Sequence, residues 1–248
     1  MSRVAVVTGG ASGIGLSICH ELARGGNAVA VLDIDGEGAR KAAADQGEHG
    51  IKSIGVAVDV SDRTSVDRAL GQVRAELGPV EILVTSAGLA RFTPFEQITL
   101  EAWNQVIAVN LTGTFHCVQA CIGDMVEAGW GRIVTISSSG AQTGAPRMAH
   151  YVASKGGVIA LTRTLAREYA SKGITVNTIP PSSIDTPMSR QAQAEGNLPE
   201  HKQWAARIPV GRVGTGDDIA AACGFLCSEA ASYITGQVIG VNGGAVIC

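Results

Sequence analysis

The apolar positions of this 248-residue chain fall into short runs rich in Val, Ile and Ala, separated by longer amphipathic segments. Within the short runs nearly every position is apolar, which is typical of strands that are buried on both faces of a sheet. Seven runs have this character and are predicted to be strands: Val4–Thr8, Ala28–Asp33, Lys52–Val58, Glu81–Thr85, Arg132–Ser137, Thr175–Ile179 and Val238–Val241.

The segments between these runs show helical periodicity, and capping residues such as Asp62 and Thr99 stand at the starts of two of them. Strands that alternate with helices build βαβ units, which form a parallel sheet with helices on both faces. We therefore predict an α/β fold, a single doubly wound (Rossmann) domain spanning residues 1–248 with about seven strands. The predicted helices are Ile14–Arg24, Glu37–Gln46, Thr64–Leu77, Leu100–Glu127, Tyr151–Ser171 and Asp217–Ser228.

Residues 187–209 break this alternation. The stretch is polar, contains Gly196 and Pro199, and follows a strand at the edge where open α/β sheets bind ligands. We expect a substrate lid within the domain, and a solvated surface loop is the alternative.

Composition narrows the possible partners. The 19 Lys and Arg against 22 Asp and Glu give a formal net charge of −3, and no basic stretch offers a surface for nucleic acid. The N-terminus lacks a basic leader and a cleavage signature, and no apolar run is expected to reach the roughly 20 residues of a bilayer crossing. We therefore expect a cytoplasmic protein that binds neither nucleic acid nor membrane, with its six cysteines reduced.

A glycine-rich loop follows the first predicted strand. Gly9, Gly13 and Gly15 are spaced so that a tight turn brings backbone amides close to a pyrophosphate, and the next helix points its positive end at the same anion. Asp33 ends the second strand, 18 residues after Gly15. An acid at about this distance binds the adenosine ribose hydroxyls of a dinucleotide, although a plain turn residue is the alternative.

Asp33 also favours NAD over NADP. A carboxylate accepts hydrogen bonds from free ribose hydroxyls but repels the extra phosphate of NADP, which needs a basic partner. The glycine loop contains no Arg or Lys, and the nearest basic residues, Arg40 and Lys41, lie on the following predicted helix. The expected cofactor is therefore NAD, and NADP is disfavoured.

Ser138, Tyr151 and Lys155 form a second group. Tyr151 and Lys155 are four residues apart on one helical face, and Ser138 follows a strand at the ligand-binding edge. A phenol has a reference pKa of about 10, and a nearby ammonium together with a positive nicotinamide ring favours its ionised form. The group suits acid–base chemistry beside a dinucleotide, whereas the Tyr-Lys spacing alone would equally fit a surface helix pair.

Together these motifs resemble the short-chain dehydrogenase/reductase family. The resemblance covers essentially the whole chain. It implies seven parallel strands, a cofactor that binds before the substrate, and a homotetramer. The residues that carry it are Thr8–Gly15, Asp59-Val60, Asn110, Ser138, Tyr151 through Lys155, Tyr233–Gln237 and Val241–Gly244.

The resemblance also implies a role for each matching residue. Tyr151 would be the general acid or base, Lys155 would hold the nicotinamide ribose and lower the Tyr151 pKa, and Ser138 would bind the substrate oxygen. Asn110 would hold a proton-relay water, or would be an ordinary polar helix residue. The implied cofactor contacts are Gly9, Ser12, Gly13, Ile14, Gly15, Asp33, Asp59, Val60, Ala87, Gly88, Tyr151, Lys155, Pro181, Ile184 and Thr186.

Two stretches depart from the family pattern. Thr85-Ser86-Ala87-Gly88 stands where Asn-Asn-Ala-Gly is usual, and Pro180-Pro181-Ser182-Ser183 replaces the usual Pro-Gly. Both departures leave the geometry of the loops beside the cofactor open.

One histidine and two cysteine pairs are interpreted as structural rather than functional residues. His150 is expected at the rim of the site, beside Tyr151. The pairs Cys117/Cys121 and Cys223/Cys227 fit small apolar core residues better than metal ligands, so no metal is expected.

The substrate remains open among related classes. The run Ile208–Gly214 resembles that of 3-oxoacyl-[acyl-carrier-protein] reductases and favours a 3-oxoacyl/3-hydroxyacyl substrate. Those reductases mostly use NADPH, which Asp33 disfavours, and dock their carrier through basic residues, of which only Lys172 has a counterpart. The alternatives are a hydroxysteroid, small-alcohol or diol dehydrogenase and, more remotely, a non-catalytic dinucleotide-binding subunit.

Overall fold

The computed structural model describes residues 2–47 and 50–247. Within them, six strands form one parallel sheet in the order β3-β2-β1-β4-β5-β6, which confirms the predicted doubly wound architecture. The strands are β1 (Val4–Thr8), β2 (Ala28–Asp33), β3 (Ser53–Ala57), β4 (Ile82–Thr85), β5 (Gly131–Ile136) and β6 (Ile174–Ile179).

Helices connect the strands and follow the last one. The π-helical turn Ala108–Thr112 separates two of them, and short 3₁₀ turns lie at Phe95–Gln97, Ala170–Lys172 and Glu229–Ala231. The helices are α1 (Gly13–Arg24), α2 (Gly36–Gly47), α3 (Arg63–Glu76), α4 (Leu100–Ile107), α5 (Gly113–Ala128), α6 (Gly140–Thr143), α7 (Ala149–Tyr169), α8 (Pro187–Ala194), α9 (His201–Ala205) and α10 (Gly216–Leu226).

The sheet is the middle layer of three. Every residue of β1, β4, β5 and β6 is buried, in accord with the apolar runs of the sequence. Successive side chains of β1 enter opposite cores, as the pleat requires. Val7 belongs to the core that contains Ile18 of α1 and Ile219 of α10, whereas Val6 belongs to the core that contains Leu70 of α3.

The seventh predicted strand, Val238–Val241, is wrong as a full strand. In the described chain this segment makes an isolated parallel bridge between Val238 and Thr178. Two backbone hydrogen bonds support it, from Thr178 N to Gln237 O and from Ile239 N to Thr178 O. Gly236, at a φ of 74°, turns the chain just before this contact, and the pairing stays too short to form a regular strand. Cys248 lies outside the described residues.

The predicted helix Leu100–Glu127 is interrupted. Its middle forms the π-helical turn Ala108–Thr112, so α4 and α5 are distinct elements. By length and composition alone the combined run Leu100–Ala128 could cross a membrane, contrary to our expectation from sequence. Core helices pass the same test, and Cys117 and Met125 of this run are buried in the core.

The strand order reverses between β1 and β4, and open α/β sheets bind ligands at the strand ends beside such a reversal. Both strands lie at the centre of the sheet, while their connections leave in opposite directions. The side-chain oxygen of Thr8 accepts hydrogen bonds from the backbone N–H groups of Ser86 and Ala87, both at 3.2 Å. The ends of β1 and β4 are therefore tied together, and a crevice opens beyond them.

Candidate active site

The glycine loop between β1 and α1 has no room for side chains at two of its positions. A Cβ on Gly15 would lie 2.0 Å from the carbonyl oxygen of Gly9, and a Cβ on Gly9 would lie 2.8 Å from the Cα of Ala87. Gly9 and Gly13 also have positive φ values of 67° and 53°. The loop therefore presents bare backbone at the N-terminus of α1, where an anion is favoured.

Asp33 lies at the end of β2 and faces the same crevice. Its Oδ2 accepts a hydrogen bond from Ala11 N and its Oδ1 accepts one from Asp35 N, both at 3.0 Å. Each oxygen keeps a second lone pair, so the held carboxylate can still accept hydrogen bonds from ligand hydroxyls.

A cavity of about 740 Å³ connects the glycine loop with the second group of predicted residues. The cavity extends from the Asp33 carboxylate, past the bare backbone at the N-terminus of α1, to Tyr151. This arrangement fits a dinucleotide. All the cofactor contacts implied by the sequence line it: Gly9, Ser12, Gly13, Ile14, Gly15, Asp33, Asp59, Val60, Ala87, Gly88, Tyr151, Lys155, Pro181, Ile184 and Thr186.

Ser138 and Tyr151 meet at the far end of this cavity. Ser138 follows β5, and its Oγ accepts a hydrogen bond from Gly140 N at 3.1 Å. Burial raises the pKa of the Tyr151 phenol, and a hydrogen bond with the Ser138 side chain partly counters that effect. The phenol is therefore protonated at neutral pH.

Lys155 is almost fully buried, with 4% of its surface exposed. Its Nζ donates to the carbonyl oxygen of Ile136 at 2.8 Å and lies 5.9 Å from the centre of the Tyr151 ring. Burial lowers the pKa of Lys155 to about 8. In the cofactor-free chain desolvation dominates and the Tyr151 pKa is raised; the expected lowering by Lys155 together with a positive nicotinamide ring stays a prediction.

Asn110 does not line the cavity but lies behind it. It sits in the π-helical turn, is fully buried, and its amide binds both backbone groups of Leu89. Its Nδ2 also donates to Ser154 Oγ at 3.0 Å. Sequence reasoning missed Ser154, since a serine inside a helix carries no motif of its own.

The two departures from the family pattern leave the nearby loops held by backbone bonds. Ser86 N donates to Thr8 O at 3.2 Å, in addition to its bond with the Thr8 hydroxyl. In the second loop, Pro181 O accepts from Ser139 N at 2.9 Å and Ser183 O accepts from Gly214 N at 3.0 Å. These main-chain contacts do not depend on the replaced side chains.

Apolar side chains also contribute to the wall of the cavity. Arg147, at a φ of 65°, joins two parts of its wall, because its carbonyl oxygen accepts from Thr93 N at 2.7 Å. Met188, Ala192, Leu198 and Trp204 lie within the stretch 187–209 predicted as a lid, whereas the sequence gave no signal for the others. The apolar residues are Ala90, Phe92, Ala145, Pro146, Met148, Met188, Ala192, Leu198 and Trp204.

The stretch predicted as a lid, residues 187–209, contains two helices, α8 and α9, and contributes to this wall. Thr186 and Ser189 form a capping box that starts α8. Asp185 anchors the stretch: it forms two hydrogen bonds with Arg190, at 2.6 and 3.0 Å, and lies 3.7 Å from His201 Nε2. The stretch therefore contains two short helices rather than irregular chain alone, and its role as a lid stays a prediction.

The expectation that His150 lies at the rim is wrong. Its side chain is fully buried, and its Nδ1 accepts a hydrogen bond from Tyr151 N at 3.0 Å. Burial also lowers the His150 pKa. Its position next to Tyr151 in sequence does not reveal this burial.

Cysteines 117, 121, 223 and 227 are free and buried. Burial raises the pKa of Cys117 to about 12, which disfavours the thiolate that binds metals. Residues 2–47 and 50–247 contain no group of three or more His, Cys, Asp or Glu that could hold a metal ion.

A crevice that fits a dinucleotide and ends at a buried phenol beside an ammonium defines a nicotinamide-dependent oxidoreductase. A family model described as "Enoyl-(Acyl carrier protein) reductase" matches residues 9–246.

Known proteins of this kind are similar over nearly the full chain. Acetoacetyl-CoA reductase of Rhizobium meliloti (strain 1021) is 43% identical over 244 residues, covering 98% of each chain. D-threitol dehydrogenase of Mycolicibacterium smegmatis is 41% identical over 245 residues, covering 99% of this chain and 93% of the relative. A solved structure described as "Crystal structure of gox2181" is 38% identical, with a TM-score of 0.92 and coverage of 98% and 95%.

The chain belongs to the short-chain dehydrogenase/reductase family. It is an enzyme of the alcohol dehydrogenase and ketoreductase class, which binds a nicotinamide dinucleotide and acts on CH–OH or keto groups of small molecules.

The buried ammonium predicts a stability effect. Lys155→Met should raise the free energy of unfolding of the cofactor-free protein at pH 7 by roughly 1–3 kcal/mol, because a charge no longer has to be desolvated. The unfolded chain keeps the lysine proton up to about 10.5 and the folded chain only to about 8. Between these pH values the free energy of unfolding of the unmodified protein therefore rises as pH rises. The difference between it and the Lys155→Met variant should shrink over the same range.

Urea unfolding of both proteins between pH 7 and 10 measures this gap. The matched control is Lys41→Met, which removes an exposed lysine on α2 and should leave the unfolding free energy within about 0.5 kcal/mol. A Lys155→Met variant that is less stable than the unmodified protein at pH 7 would contradict the desolvation argument.

Proposed function

We propose that this enzyme is an NAD(H)-dependent oxidoreductase that interconverts a secondary alcohol and a ketone, with 3-oxoacyl/3-hydroxyacyl compounds as the favoured substrates. The observation that carries the proposal is the cavity that has the Asp33 carboxylate at one end and Ser138, Tyr151 and Lys155 at the other. The bound dinucleotide supplies or accepts the hydride.

The side chains divide the remaining work. In the reduction direction the Tyr151 hydroxyl donates its proton to the carbonyl oxygen, and the Ser138 hydroxyl donates a hydrogen bond to the same oxygen as negative charge develops. In the oxidation direction Tyr151 accepts the alcohol proton. Lys155 holds ligand hydroxyls and stabilises the phenolate, while Asn110 fixes the backbone behind the ammonium.

The choice of NAD rests on the charges around the adenosine end. Asp33 and Asp59 line that part of the cavity, and Lys155 supplies the positive charge among the described residues that line it. Arg40, the basic residue closest in sequence, lies on α2 and is exposed. A phosphate on the ribose would therefore meet carboxylates without a basic partner.

We expect at least a tenfold preference for NAD(H) over NADP(H) in kcat/KM. Asp33→Ala should lower the kcat/KM for NAD by about tenfold or more, because charge-assisted hydrogen bonds are lost, while NADP use should not fall. Ile34→Arg should begin to reverse the preference, since Ile34 is exposed and lines the cavity. Equal kcat/KM for both cofactors in the unmodified enzyme would refute the assignment.

The uncharged, apolar wall around Phe92, Met188 and Trp204 supports an acyl substrate. The relative named acetoacetyl-CoA reductase acts on such a compound by its name. The second candidate is a small diol, which the relative named D-threitol dehydrogenase favours. NADH formation with 3-hydroxybutyryl thioesters and with D-threitol, compared in kcat/KM, separates the two.

Assembly and location complete the proposal. The run Leu100–Ala128 exposes the apolar side chains of Leu100, Phe115 and Val126, of which Leu100 is 68% exposed. We expect a homotetramer that covers this surface, in the cytoplasm. Light scattering at micromolar concentration should give four times the 25.4 kDa of the chain, and a stable monomer would contradict it.

The mechanistic role of Tyr151 has a direct test. Tyr151→Phe removes the hydroxyl and keeps the ring, so kcat on the best substrate should fall by about 10²-fold or more. Binding of NADH, followed by its fluorescence, should survive because the glycine loop and Asp33 are unchanged. Retention of most of the turnover would remove Tyr151 from the mechanism.

A further inference from the structure

A buried hydroxyl on α7 connects two elements that hold the active site. Ser154 is 0% exposed. Its Oγ donates to the carbonyl oxygen of Tyr151 at 2.7 Å and accepts from Asn110 Nδ2 at 3.0 Å. The hydroxyl acts as donor and acceptor at once, so its orientation is fixed.

The Asn110 amide is fixed in turn. Its Oδ1 accepts from Leu89 N at 2.7 Å, and its Nδ2 donates to Leu89 O at 3.0 Å as well as to Ser154. Exchanging the oxygen and nitrogen of the amide would place like groups against each other in both contacts with Leu89. Ser154 therefore supplies the bond that ties this amide, and with it Leu89, to the helix that carries Tyr151.

The hydrogen bonds that join Ser154, Asn110 and Leu89 lie next to the Lys155 ammonium. A Cβ on Gly88 would lie 3.5 Å from Lys155 Nζ and 3.6 Å from Asn110 Oδ1, so both groups border the backbone at Gly88. A shift of Gly88 and Leu89 would change the space beside Lys155. Ser154 itself is not among the residues that line the cavity.

We propose that Ser154 is a positioning residue for proton transfer: through Asn110 it holds the Gly88–Leu89 backbone in register with Tyr151 and Lys155. The proposal rests on the proposed roles of Tyr151 and Lys155. Because Ser154 contacts neither substrate nor cofactor, its loss should change the chemical step and leave binding nearly unchanged.

Ser154→Ala is the direct test, since alanine keeps the helix and leaves one N–H of Asn110 without its acceptor. We expect kcat to fall about tenfold, equivalent to about 1.4 kcal/mol in the barrier. KM and the Kd for NADH should stay within about twofold, and the apparent pKa of the kcat–pH profile should shift because the Lys155 environment changes.

Thr162→Val provides the matched control on the same helix. Thr162 is also fully buried, and its hydroxyl bonds that of Thr135 at 2.9 Å, so this variant removes a comparable hydrogen bond. Its stability should fall while kcat and the pH profile remain those of the unmodified enzyme. Equal falls in kcat for Thr162→Val and Ser154→Ala would reduce Ser154 to a stability role and overturn the proposal.

A double-variant cycle tests the route through Asn110. If Ser154 acts through that amide, Ser154→Ala should not slow an Asn110→Ala enzyme further. Additive losses would overturn the route. If Asn110→Ala does not fold, the kcat and pH profiles of the two single variants on α7 decide alone. Tyr151→Phe in the same assay distinguishes a failure of the proposed function from a failure of the positioning role. Full activity of Tyr151→Phe would contradict the proposed function. An inactive Tyr151→Phe beside a normal Ser154→Ala would contradict the positioning role only.

Discussion

The backbone contact between Gly9 and Ala87 sets the position of the glycine loop against the turn that follows β4. A Cβ on Gly9 would stand 2.8 Å from the Ala87 Cα, so these two turns touch with no side chain between them. The Thr8 hydroxyl, which accepts from both Ser86 N and Ala87 N, holds the turns in that position. Because the strand order reverses here, the loop at the start of α1 and the backbone beside Lys155 open into one crevice.

The two ends of that crevice carry opposite charges, and at each end the charged group can form further hydrogen bonds. At one end the Asp33 carboxylate is held by Ala11 N and Asp35 N and retains a lone pair on each oxygen. At the other end Lys155 directs one N–H to Ile136 O, and an ammonium has two more to offer. Hydroxyl groups can satisfy both ends, since a hydroxyl donates to the carboxylate and accepts from the ammonium.

The sequence was informative where local chemistry decides position. Gly15 and Asp33 are recognisable because a helix N-terminus and a strand end set their spacing, and Tyr151 and Lys155 because helical geometry places them on one face. It was uninformative where packing decides. The π-helical turn around Asn110 and the burial of His150 depend on contacts with distant segments. The short pairing at Val238 likewise reflects the adjacent glycine turn rather than its β-branched composition.

The buried network behind Lys155 follows from a conflict between stability and chemistry. Desolvation makes the charged form of Lys155 unfavourable and lowers its pKa to about 8. One hydrogen bond to Ile136 does not remove that cost. A fully paired ammonium would be more stable, but it would have no N–H left for a ligand. The surrounding backbone must therefore be rigid without engaging the ammonium itself. Asn110 meets this requirement, because its amide is satisfied by Leu89 and Ser154 and leaves Lys155 to the cavity.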